Sequence, residues 1–146
     1  MEKKEMLLTD VMATDVVIGE LDGYTKEWEK HKLSEVFDYL QNNTLSRAEL
    51  SLENGVARNI HYGDVLIKFP EYLDVSKSAL PFIESEQIAE KFKDSFLQDG
   101  DVVMADTAED TTVGKCSEVA GIDGFPTISG LHTIPMRPKG KYAPGY

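Results

Sequence analysis

With a single cysteine, Cys116, among 146 residues, the chain has no partner for an internal disulfide, and three scattered histidines do not complete a cysteine-rich zinc cluster. Cys116 lies in a stretch of alternating apolar residues and none of His31, His61 or His132 adjoins it in sequence. It therefore reads as a buried thiol and not as a nucleophile. Long apolar runs are also missing. Stretches such as Val65 to Ile67 and Val102 to Ala105 fall far short of the roughly 18–20 residues a bilayer span needs, and no basic segment followed by an apolar one opens the sequence, so the expectation is a cytoplasmic protein with no membrane partner. Neither a Gly-x-Gly-x-x-Gly nor a Gly-x-x-x-x-Gly-Lys phosphate loop occurs. Basic residues are scarce: 15 Lys and Arg face 26 Asp and Glu, a net charge of −11. The excess is even, with 8 basic against 14 acidic residues in 1–73 and 7 against 12 in 74–146. An acidic chain repels phosphate backbones, which argues against tight, non-specific nucleic-acid binding without a local basic face or a basic partner.

What is present suits one soluble domain: 41% hydrophobic and 28% charged residues in 16.3 kDa. Residues 1–22 mix helical and strand patterns and read as an N-terminal extension; the domain itself is expected over 23–146. Ser34 precedes Val36, Phe37 and Leu40, spaced for a short helix ending near Tyr39. Residues 41–47 form a polar loop in which Thr44 or Ser46 caps the next turn. Asn54-Gly55 predicts a type I′ hairpin between Leu50–Leu52 and Val56–Ile60. A turn at 61–64 leads to a strand over 65–69, stopped by Pro70. A helix is expected over 85–97, closed by Asp99-Gly100, followed by strands over 101–107, 112–119 and 127–136. Short strands without regular βα alternation imply an α+β fold, a twisted sheet or partial barrel with short peripheral helices.

Two groups of residues invite a chemical reading. Asp99, Asp101, Asp106, Glu109 and Asp110 form the densest acidic cluster, but they lack EF-hand spacing and suit a solvated strand-turn edge; Asp106, Glu109 and Lys115 could still be drawn as a Mg²⁺-dependent nuclease centre. The run Gln41-Asn42-Asn43-Thr44-Leu45-Ser46-Arg47 is different in kind. Asn and Gln can pair two hydrogen bonds with adenine, Arg with guanine, and hydroxyls reach bases or phosphates, so the loop is suited either to groove reading or to capping a surface turn.

The stretch Tyr24-Thr25-Lys26-Glu27-Trp28-Glu29-Lys30-His31-Lys32-Leu33-Ser34-Glu35-Val36-Phe37 resembles the G-[FY]-T-x-x-W-x-x-x-K-L-x-[DE]-[VIL]-F opening of target recognition domains in specificity subunits of type I restriction-modification enzymes. Residues 41–47, 59–69, 97–110 and 129–138 are similar to successive blocks of that family, in order. The resemblance implies a non-catalytic component that reads double-stranded DNA and directs separate modification and restriction subunits. It implies no cofactor and no metal. This chain would supply one recognition domain without the family's long helices, and a homo-oligomer would restore a two-domain arrangement. On this reading the DNA-contacting residues are Gln41, Asn42, Asn43, Thr44, Ser46 and Arg47, with Lys68, Lys77 and Arg137 on phosphates and His132 on a base edge or phosphate. Two rivals stand beside it: an acidic interaction module or decoy that binds the modification subunits, and the nuclease using Asp106 and Glu109.

Overall fold

The computed structural model describes residues 31–140. The chain divides into two compact units between Glu35 and Val36; the expected extension over 1–22 and the expected domain start at Gly23 lie outside the described residues. In the first unit, the Lys32 N–H donates to the Glu35 carboxylate at 3.1 Å. Helix α1 spans Leu33–Val36.

The second unit is α+β. Its strands are β1 (Phe37–Tyr39), β2 (Ala57–Ile60), β3 (Tyr72–Asp74), β4 (Phe82–Ile83), β5 (Val102–Ala105), β6 (Cys116–Ala120), β7 (Thr127–Ser129) and β8 (Thr133–Pro138), interspersed with helices α2 (Tyr62–Ile67) and α3 (Glu86–Lys91). They form two mixed sheets, one ordered β1-β8-β5-β6-β3 and one ordered β4-β2-β7. Alternation along β5 buries Val103 and Ala105 and turns Val102 and Met104 outward. The inward residues join Ile60, Val65, Phe69, Leu73, Val75, Leu80, Leu97 and Val119 in the larger core. A smaller core gathers Ala57, Ile83, Ala89 and Ile128, with Phe92 and Phe96 packed against it.

Four local expectations are overturned. The helix expected up to Tyr39 stops at Val36, because Phe37–Tyr39 pairs antiparallel with Met136–Pro138 and the sheet's hydrogen bonds replace a helix's. The strand expected over 65–69 is helix α2. A strand would bury Val65, Ile67 and Phe69 together, whereas the helix buries Val65 and turns Ile67 out, and Phe69 tucks in just past the helix end with its N–H on the Asp64 carbonyl; the exposures of Val65, Phe69 and Ile67 are 0%, 5% and 84%. Local capping tips the choice: extended His61 accepts the Gly63 N–H on Nδ1. The strand expected over 127–136 is two strands in different sheets, broken at Gly130 to His132, where His132 takes a left-handed φ of 55°. Asn54-Gly55 makes no hairpin. The antiparallel partner of β2 is β4, residues 50–52 contribute only a bridge from Ser51 to Phe82, and Gly55 lacks positive φ. Elsewhere the expectations match more closely. Ser85 caps α3, which ends at Lys91 and passes into a 3-10 turn over Lys93–Ser95. Gly100 turns with φ 90°, and β5 pairs with β6.

The glycine in Asn54-Gly55 is required for close approach: a Cβ there would stand 2.5 Å from the Ile83 carbonyl oxygen. Gly55→Ala should cost about 1–3 kcal/mol by forcing β2 and β4 apart, read as a lower urea midpoint; an unchanged midpoint would show that the edge yields freely.

Candidate nucleic-acid interface

Asp64 organises one face of the second unit. It stands in the first turn of α2 with its carboxylate 2% exposed. Arg47, in a 3-10 turn over Arg47–Glu49 at the end of the polar loop, forks onto it through Nη2 to Oδ1 at 2.9 Å and Nη1 to Oδ2 at 3.2 Å. Lys68 reaches the same carboxylate from one helical turn on, at 3.2 Å. Arg47 Nη2 also donates to His61 Nδ1 at 3.1 Å, since a guanidinium has no acceptor. Lys115 joins from β6's side by donating to the Phe69 carbonyl at 2.9 Å, where α2 has just ended. Arg47 and Lys68 thus share one buried carboxylate in α2, while Lys115 is held by carbonyls at the helix's C-terminal end.

The loop is fastened to the same region. Its main chain follows the break between β7 and β8: Leu40 N–H donates to the Pro135 carbonyl and Asn43 N–H to that of Ser129, each at 2.9 Å. Asn42 Nδ2 donates to the Gly130 carbonyl at 3.1 Å. Asn43 is 1% exposed; it gives Nδ2 to Asn59 and to the Ser129 carbonyl and takes the Leu45 N–H on Oδ1, so its side chain holds the loop in shape. Ser46 and Glu49 form a capping box. Gln41, Thr44, Ser46 and Arg47 are exposed and Asn42 half-exposed. His132 meets Tyr62 of α2 edge-on at 5.3 Å between ring centres and places Nδ1 3.5 Å from Asp106.

Of the ten residues expected to touch DNA, the fold brings Arg47, Lys68 and His132 to the surroundings of α2 and ties Asn42 to the Gly130 carbonyl in the break between β7 and β8. Two lie elsewhere. Lys77 pairs with Asp74 at 2.9 Å just after β3, where hydrogen bonds from Ser76 and then Lys77 hold the Asp74 carboxyl at about 2. Arg137 forks onto Asp101 through Nε and Nη2, at 2.9 and 2.7 Å, and donates to the Phe96 carbonyl, so its guanidinium cements β8 to the segment before β5. Asp101, 1% exposed, takes the Gln98 N–H as well. The acidic cluster does not converge as a nuclease centre would require: Asp106 faces His132 while Lys115 is committed to carbonyls near α2. Among the described residues no group of three or more His, Cys, Asp or Glu side chains could hold a metal ion.

Sequence reasoning missed His61, Tyr62 and Asp64 as parts of this face, because a strand over 65–69 would have scattered them. A useful signal was present in Asp64 and Lys68, an acid-base pair at helical spacing. Burial, and next the Arg47 charge, push the His61 imidazole below its ordinary value, although Asp64 opposes them. With Nδ1 accepting two N–H groups, the neutral ring carries its proton on Nε2.

No protein-family model matches the chain, and no curated protein matches it. Among solved structures, the HsdS subunit from Thermoanaerobacter tengcongensis is similar at 14% sequence identity and a TM-score of 0.48, over 97% of this chain and 31% of that one. This chain therefore spans about a third of that protein's length. No helix among the described residues is long and apolar enough to cross a membrane.

The His61 shift has a signed consequence. Because the unfolded chain takes up this proton more readily than the folded one, the stability from neutral His61 is fully present above about pH 6.5 and is lost as pH falls through the lower, folded value. His61→Asn keeps a capping oxygen for Gly63 and removes the titration. Urea midpoints at pH 7.5 and 5.5 should differ less in the variant than in the wild type; an equal difference would assign the acid sensitivity to other groups.

Proposed function

We propose that this chain is a double-stranded DNA-reading domain of the type I restriction-modification specificity class, non-catalytic, cytoplasmic and working with modification and restriction subunits. The observation that carries the reading is the meeting of Arg47 and Lys68, both largely open to solvent, on one buried carboxylate in α2, with His132 against Tyr62 of the same helix. These two cations come from separated parts of a chain of charge −11, and concentrating them locally is what an anionic backbone requires. The ordered blocks of family-like sequence support the same conclusion. Residues 23–146 would form the recognition domain, and Gln41, Thr44 and Ser46, exposed on the loop that Asn43 braces, would supply further polar contacts. A homo-oligomer would present two such faces.

A second reading has its own observation. Among the described residues, most cations outside this face are already neutralised by carboxylates, as in Arg58 with Asp123, Lys93 with Glu90 and Lys139 with Asp38. Much of the remaining surface is thus acidic, which suits an interaction module that binds the modification subunit in place of DNA. Capture of that subunit without DNA, abolished by adding duplex, would favour this second role.

Selection from a randomised duplex pool at low salt should enrich one short motif. Lys68→Gln should then lower the slope of log affinity against log salt by about one unit and leave the preferred motif unchanged. Lys68 suits this test because its ammonium is largely exposed and Arg47 continues to neutralise Asp64 in its absence. No enriched motif, or an unaltered slope, would count against the reading.

A further inference from the structure

Leu52 and Ile67 are the most exposed large hydrophobic side chains among the described residues, at 80% and 84%. Singly exposed apolar residues are ordinary, but these two come from different segments and line the same open groove of about 500 Å³. Leu50 and Pro81 contribute to its wall, and Arg47 and Lys68 supply its cations. Its one carboxylate, Asp64, is buried, so the charge the groove offers outward is positive. Ile67 is there for a reason internal to α2: the helical register that buries Val65 turns the residue two positions on toward solvent, where it gains nothing from packing.

An apolar pair beside exposed cations is complementary to an anionic partner that also carries a small apolar group. On the major-groove edge of DNA that group is the thymine 5-methyl, one short reach from the phosphates. We propose that this groove reads thymine, with Arg47 and Lys68 on backbone phosphates and Leu52 and Ile67 against the methyl group. The inference rests on the DNA-reading function above and adds to it the base and the side chains that distinguish it.

The test takes the duplex enriched from the pool and replaces each thymine in turn with deoxyuridine, which removes the methyl and leaves every hydrogen-bonding group in place. At one or two positions wild-type affinity should fall about fourfold, the effect of one buried methyl. Leu52→Ala and Ile67→Ala, both at exposed positions, should bind the thymine duplex more weakly and lose the discrimination between the two bases. Equal affinity for thymine and deoxyuridine duplexes, or an enriched motif without thymine, would overturn the thymine assignment while leaving DNA reading intact. Failure to enrich any motif would overturn both. If the two variants keep full discrimination but lose capture of the modification subunit, the groove is a protein-docking site and the proposal is wrong.

Discussion

The carboxylate of Asp64 is the constraint on which the candidate interface depends. A buried charge is costly unless it is paired and hydrogen-bonded, and Asp64 meets that demand by drawing in Arg47 from the polar loop and Lys68 from its own helix. In satisfying one acid, the fold fixes the end of the loop to α2 and sets two basic groups side by side. The Arg47 contact with His61 extends the network to the helix cap, and the Tyr62 ring extends it to His132. Removing the acid would therefore alter loop position, helix cap and local charge together.

The same logic recurs where the cations do structural work. Asp101 holds Arg137, and Asp123 holds Arg58 by a two-bonded fork that keeps the Asp123 carboxyl well below the usual carboxylate range; the Arg58 guanidinium also sits 5.0 Å from the centre of the Phe125 ring. Such pairs consume charge that composition alone would leave available for phosphate. An acidic protein of this kind can offer an anionic ligand only a small basic area, so the affinity for such a ligand should depend on few contacts.

The sequence made the fold class legible, together with the strands expected over 101–107 and 112–119 and found at Val102–Ala105 and Cys116–Ala120, the helical pattern after Ser85 and the Gly100 turn, because each rests on a local signal: alternation, helical spacing, a glycine at positive φ. It misled where a local signal had two outcomes. Val65-Leu66-Ile67-Lys68-Phe69 fits either period, and its position after the His61 cap and over β5 decided for the helix. Asn54-Gly55 has the composition of a hairpin turn, yet the glycine serves a close approach to Ile83, 28 residues further along the chain. Of the expected interface, Arg47 and Lys68 come together on one carboxylate, whereas Arg137 is enlisted by Asp101, an encounter between positions 36 residues apart that no local pattern encodes.

What the amino-acid sequence determined by itself was the acidic charge, the absence of disulfide chemistry, the α+β class and a polar loop stocked with amides and hydroxyls, since all of these follow from residue identity and short-range periodicity. Only the tertiary structure decided which polar groups face solvent and which are spent inside. Asn43 and Arg137 are bound into the framework while Arg47 and Lys68 flank an open groove, because a side chain's free donors depend on partners brought near it by folding.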